Sequence, residues 1–191
     1  MHMNRALIVI DVQESFRARA EEWAEVDNPK IAEPVNRLVR LARAQGDTVV
    51  WVLHAEPGTD TVFDPVLGHV RLMEELDQPL PGEITVQKTS HNAFTTTNLQ
   101  QQLTERGVTE LVLCGIRTEQ CVETTTRVGS DLGYRCTFVT DATTTNAIGT
   151  LSAAAIIERT EAVLRDRFAD IVTVGELEAV ASGDAAAAAA E

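Results

Sequence analysis

The chain has 191 residues, 44% hydrophobic and 24% charged, which suits one domain with a full core and leaves too little for two packed domains. A net charge of −13 opposes binding to nucleic acid or anionic lipid, both of which call for a basic face, so the expected partner is a small molecule. No apolar run approaches the ~20 residues that span a bilayer, and three cysteines without CxxC spacing suit the reduced thiols of a cytoplasmic protein rather than a disulfide framework or a zinc knuckle.

The opening MHMNRALIVIDVQ has too short an apolar stretch for a secretory signal, and its run from Arg5 to Ile10 reads as a central strand ending at Asp11. Asn28 and Pro29 then resemble a helix cap and first position. Ile31, Val35, Leu38, Val39 and Ala42 follow at helical spacing, Gly46 is a stop, and Pro34 could delay or bend the start. Residues 48–53 form a second strand ending at His54. The stretch to Pro81, broken by Pro57, Gly58, Pro65, Gly68 and Pro79, predicts an irregular excursion with a short helix around Val70 to Leu76. A third strand over 83–87 ends at Lys88. Thr97 with Gln100 resembles a capping box before a helix closing at Gly107.

Glu110 to Cys114 reads as the fourth strand, followed by a helix from about Thr118 to Gly133, a fifth strand from Cys136 to Thr140 ending at Asp141, a helix over 150–168 and a sixth strand over 170–174. Such alternation implies right-handed βαβ crossovers. The expected fold is α/β, a Rossmann-like three-layer α/β/α arrangement with a six-stranded, mostly parallel sheet. Residues 1–182 are expected to form the single domain, and the alanine-rich 183–191 to be a disordered tail.

In an open parallel sheet, ligands bind outside the carboxyl ends of the strands. Asp11, Lys88 and Cys121 follow strands one, three and four, and together supply a base, a cation and a nucleophilic sulfur. With Thr118 as N-cap, Cys121 lies in the first helical turn, where unpaired amides and the helix dipole favour a thiolate. Taken singly, each has a plainer reading: Asp11 as a turn residue, Lys88 as a solvated charge, Cys121 as a small buried apolar group. Cys114 and Cys136, inside strand-like runs, read as inert packing.

The segments ALIVIDVQESF (6–16), VQKTSHNAF (86–94), GIRTEQCVETTTR (115–127) and FVTDAT (138–143) resemble those of the isochorismatase-like cysteine hydrolases, a superfamily that includes nicotinamidases and carbamoylsarcosine amidohydrolase. The resemblance runs from about Arg5 to Val180 and implies the six-stranded fold and a homo-oligomer. It further implies Asp11 as general base, Lys88 as orienting cation and Cys121 as nucleophile. A non-proline cis peptide between Ile116 and Arg117 would aim the backbone amides of Arg117 and Cys121 into an oxyanion hole.

The metal-binding AspXHisXXHis cluster of nicotinamidases is missing here; His54, Asp60, Asp64 and His69 do not have that spacing, so no metal and no cofactor are expected. His54 reads instead as a pocket-wall residue or a hydrogen-bonded strand-end histidine. Phe16, Trp23, His91, Phe94 and Arg117 complete the expected substrate-binding set, although Phe16 and Phe94 could equally be core, and Arg117 could reach a substrate carboxylate, point to solvent or pair with an acid. The implied activity is hydrolysis of a C–N bond in a small amide, imide or carbamoyl compound through a thioester. The alternatives are vinyl-ether hydrolysis of the isochorismatase type, which the cysteine disfavours, and a non-catalytic ligand-binding protein of the same fold.

Overall fold

The structure, a computed structural model, describes residues 4–188, with side chains described through Gly183. Six strands, β1 (Arg5–Ile10), β2 (Thr48–His54), β3 (Ile84–Lys88), β4 (Glu110–Ile116), β5 (Arg135–Thr144) and β6 (Asp170–Val172), form one sheet in the order β3-β2-β1-β4-β5-β6. Every neighbouring pair is parallel. The chain winds outward from β1 to β3, then returns to place β4 on the other side of β1, so the topological switch point lies between β1 and β4.

Period-two alternation divides the core. Ala6, Ile8 and Ile10 of β1 face one apolar layer with Leu99 and Leu103 of α4 (Leu99–Glu105), while Leu7 and Val9 face the other with Val35, Leu38 and Val39 of α3 (Ala32–Gln45). Helices α5 (Glu123–Asp131) and α6 (Ala153–Leu164) complete the first layer, and α7 (Val174–Ala188) joins α3 in the second. Among the described residues no helix is long and apolar enough to cross a membrane.

Several local expectations give way to tertiary hydrogen bonding. Helix α3 begins at Ala32 rather than Pro29: Asn28 Oδ1 accepts from the Lys30 amide at 3.1 Å in a turn, and the start at Ala32 puts Pro34 in the first helical turn, where no amide hydrogen is needed. No helix forms over 70–76, because that backbone pairs with the chain leaving β1. The Met73 amide donates to Val12 O at 3.1 Å and the Glu14 amide to Arg71 O at 2.9 Å. The excursion holds only a 3-10 turn, Pro65–Leu67, with Asp64 Oδ1 accepting from the Val66 amide at its start. Two short helices after β1, α1 (Glu14–Arg17) and α2 (Ala20–Ala24), were not legible as periodic segments. Helix α7 continues to Ala188, past the point at which the tail was expected to fray, as alanine's high helix propensity allows; residues 189–191 lie outside the described residues.

Gly115 controls how β4 leaves the sheet. Its φ is +127°, and a Cβ there would lie 1.9 Å from the carbonyl oxygen of Ile10, so only glycine lets β4 pass this close to the end of β1. Gly115→Ala is therefore expected to cost more than about 4 kcal/mol in denaturant unfolding, or to prevent folding. Gly133→Ala, with φ +93° but open space around its Cβ, should cost only about 1–2 kcal/mol; equal losses would contradict the close-approach argument.

Candidate active site

Asp11 stands one residue beyond β1 in the left-handed region (φ 54°), held there by its amide donating to Val52 O at 2.9 Å. Lys88 is the last residue of β3, on the far side of β2 from Asp11. Cys121 lies in a π-helical turn, Thr118–Val122, that follows β4. Despite their separation along the chain, the three meet at the sheet's carboxyl edge. Lys88 Nζ donates to Asp11 Oδ2 at 2.7 Å and to Cys121 Sγ at 3.4 Å. Asp11 and Lys88 are fully buried and Cys121 is 6% exposed.

The π turn opens differently from the expected helix cap. Arg117 is the capping position in an extended conformation, and its carbonyl accepts from the amides of Gln120 and Val122, both at 3.2 Å. The Thr118 hydroxyl donates to Thr143 Oγ1 at 2.9 Å, which ties the turn to β5 instead of capping it. The peptide bond between Ile116 and Arg117 is cis.

Burial disfavours the charged form of both acids. It pushes the Asp11 carboxyl above its ordinary range, against the opposing pull of the Lys88 ammonium. It also pushes the Cys121 thiol far up, and the Asp11 charge adds to that effect while Lys88 opposes it. Burial and the Asp11 charge thus oppose the thiolate that the helix start was expected to favour. Asp11 Oδ2 is engaged by the lysine, the carboxyl group also meets the Cys121 thiol, and Oδ1 has no further partner among the described residues.

A cavity of about 420 Å³ opens onto Asp11 and Cys121. Of the expected wall residues, Phe16, His54, His91 and Arg117 line it. Trp23 does not, and borders a small neighbouring void with Phe16 and Arg117. Phe94 belongs to the core at 7% exposure, stacked on Tyr134 with ring centroids 6.0 Å apart. Its amide donates to Asn92 Oδ1 at 2.9 Å, and its ring packs in the core layer with Leu99 and Leu103.

The Arg117 guanidinium pairs with Glu22 of α2, on which Arg19 also closes at 3.6 Å. The acid-pairing alternative for Arg117 thus describes the structure, although the residue still forms wall. Sequence reading missed Arg19, Glu22, Glu56, Phe63 and Asn146, all of which border the cavity. Phe63 packs edge-on against Phe16 at 5.1 Å and lies in the excursion, where no periodicity marks it. Asn146 is 7% exposed, and its Oδ1 has no hydrogen-bond partner among the described residues.

Asp141 is structural: its Oδ1 accepts from the Val174 amide at 2.8 Å, at the start of α7. Cys114 and Cys136 are buried in the core. No group of three histidine, cysteine, aspartate or glutamate residues is placed to hold a metal ion among the described residues.

A family model for the isochorismatase domain matches residues 5–176, a span that contains all six strands. The chain is 31% identical over 182 residues to YrdC, an uncharacterized isochorismatase family protein of Bacillus subtilis (strain 168), covering 93% of this chain and 96% of that one. It is 40% identical over 157 residues to nicotinamidase 3 of Arabidopsis thaliana, covering 73% of each. The crystal structure of an isochorismatase from Pseudomonas putida KT2440 matches with a TM-score of 0.81 at 31% identity, covering 91% of this chain and 89% of that one. The strand order, the cavity at the switch point and these similarities agree: the chain belongs to the isochorismatase family of hydrolases.

Proposed function

We propose that this hydrolase cleaves a C–N bond of a small amide, imide or carbamoyl compound, without a metal, through a thioester on Cys121. The observation that carries this reading is the buried Lys88, which touches both Asp11 Oδ2 and Cys121 Sγ. A neutral thiol needs a base as it attacks, and Asp11 Oδ1 is the acceptor that Lys88 leaves open. As Sγ bonds to the substrate carbonyl carbon, the thiol proton passes to Asp11, and Lys88 compensates the negative charge gathering on sulfur.

The carbonyl oxygen, now an oxyanion, would take hydrogen bonds from the backbone amides of Arg117 and Cys121. Asp11 then returns the proton to the leaving nitrogen, the C–N bond breaks, and an acyl thioester remains. Water, deprotonated by the same carboxylate, attacks the thioester and releases the acid and the free thiol. A carboxyl group raised by burial is well suited to both directions of this transfer, because its pKa is drawn toward the working pH.

The similarity to nicotinamidase 3, a protein named for an amide substrate, supports C–N over vinyl-ether chemistry. The aromatic wall of Phe16, Phe63, His54 and His91 suits a small planar substrate, and Asn146 Oδ1 offers an acceptor for an amide hydrogen. The same reading takes the enzyme to be cytoplasmic and a homo-oligomer. Ile148 and Leu151, 42% and 55% exposed on a hairpin whose Ile148 borders the cavity mouth, offer an apolar contact between copies. Light scattering should give a multiple of 20.8 kDa; a monomer across the working concentration range would remove that part.

Two measurements test the chemistry. In a primary-amide panel read by ammonia release and product mass, Cys121→Ala and Cys121→Ser should lose at least about 10³-fold in turnover while keeping the circular dichroism of the parent. Near-normal turnover in either variant would sink the assignment. The pH dependence has a definite sign: Asp11 acts as a base only when deprotonated, so kcat/KM should be present above its raised pKa and fall as pH drops through it. The midpoint of that acid limb should lie above the ~3.9 of an ordinary aspartate, and Asp11→Asn should abolish the reaction at every pH. Activity that persists undiminished to pH 4 would contradict the role.

A further inference from the structure

An ammonium group carries three N–H bonds, and each of them must end on an acceptor when the group is fully buried. Two of those of Lys88 end on Asp11 Oδ2 and Cys121 Sγ. The third is met by His54 Nδ1 at 3.2 Å. A ring nitrogen can accept this bond only if it bears no hydrogen. The opposite nitrogen, Nε2, lies 3.3 Å from Glu56 Oε1, so it carries the hydrogen and donates there. Glu56 is itself fixed, since Thr61 Oγ1 donates to its Oε2 at 2.9 Å.

The backbone of His54 is fixed as firmly as its ring. The buried side-chain amide of Gln13 bonds to it twice, with Oε1 accepting from the His54 amide at 2.8 Å and Nε2 donating to the His54 carbonyl at 3.0 Å. Gln13 thereby extends the β1–β2 ladder beyond the last strand pair. In the parallel register His54 is the direct partner of Lys88, so the two side chains leave the sheet side by side. Phe63 closes edge-on against the imidazole at 5.4 Å.

We propose that His54 is a positioning residue of this site: its Nδ1 lone pair holds the third N–H of Lys88 and so fixes the ammonium between Asp11 and Cys121, with Gln13 setting its backbone and Glu56 its tautomer. The proposal rests on the reading of Cys121 as nucleophile and Asp11 as base. Its physical content is alignment. Without that acceptor the lysine has one unmatched N–H in a buried site and re-aims, and a displacement of ~1 Å at a reacting centre costs on the order of 10²-fold in rate.

The charged and titratable groups around the ring are Lys88 from β3, Asp11 from the end of β1, Cys121 from the π turn, Glu56 and the neighbouring His91. Arg19 acts on Glu56 in turn. Burial first, and the Lys88 charge second, hold His54 below its usual range, against the opposing pull of Asp11 and Glu56. A proton on Nδ1 would remove the acceptor and set a second cation against the ammonium, so the aligned site requires the neutral ring.

The test compares His54→Asn with His54→Leu. The amide oxygen of asparagine can stand where Nδ1 stands and cannot be protonated, so His54→Asn should retain kcat within about tenfold. His54→Leu keeps apolar bulk without an acceptor and should lose about 10²-fold in kcat at saturating substrate, separate from any rise in KM caused by the altered wall. Nitrogen-15 NMR of the unmutated protein supplies a readout that needs no substrate. His54 should be neutral at pH 7 with hydrogen on Nε2 alone, and Lys88→Met should raise its titration midpoint by removing the nearby cation. Equal kcat in the parent and His54→Leu, equal impairment of the two variants, or hydrogen on Nδ1 at pH 7 would overturn the proposal. Because the NMR arm is independent of turnover, its result stands apart from any failure of the Cys121 assignment.

Discussion

Burying the Lys88 ammonium removes it from water at a cost of several kcal/mol, which the protein offsets only by surrounding it with a carboxylate and further acceptors. That requirement organises the carboxyl edge of the sheet. Lys88 sits on the edge strand β3, and its charge must be met by Asp11 at the end of the central strand β1, with β2 in between. The strand in between therefore ends in an acceptor, His54, and Asp11 takes a left-handed backbone conformation at the end of its own strand. On the other side of β1, Gly115 lets β4 come close enough for the following turn to bring Cys121 to the same ammonium.

The same burial opposes a charge on Cys121. A helix start favours a negative charge by about 0.3–1 kcal/mol when exposed and by up to ~2 kcal/mol in partly buried geometries. Desolvation of a buried ionisable group can shift its pKa by ~3 to 5 units, at about 1.4 kcal/mol per unit, so desolvation wins. The Asp11 charge acts in the same direction.

Much of this was legible in the sequence because it depended on short-range pattern. Strand positions followed from apolar runs, and in a parallel sheet a residue just past a strand end is already placed at the ligand edge, which is why Asp11, Lys88 and Cys121 could be read from their positions. The remainder depended on contacts between distant segments. Residues 70–76 read as a helix, yet their backbone is committed to Val12 and Glu14. Phe94 and Phe16 were indistinguishable by type, and only the fold sends one into the core and the other into the cavity wall. Glu22 and Phe63 carry no local signal, since each acquires its role from a partner more than 40 residues away. Gln13 lies inside the segment ALIVIDVQESF, but its function as a two-bonded extension of the sheet becomes visible only once β2 is beside it.

The account turns on a covalent bond between substrate and Cys121. Acid quenching during turnover of an amide substrate, followed by digestion and peptide mass spectrometry, examines that bond directly. The account predicts an acyl group on the peptide containing Cys121, absent from those containing Cys114 and Cys136, and accumulating further when hydrolysis of the thioester is slowed by an amide with a hindered acyl group. Turnover with no acylated Cys121 peptide at any quench time, or with the acyl group on another residue, would contradict it.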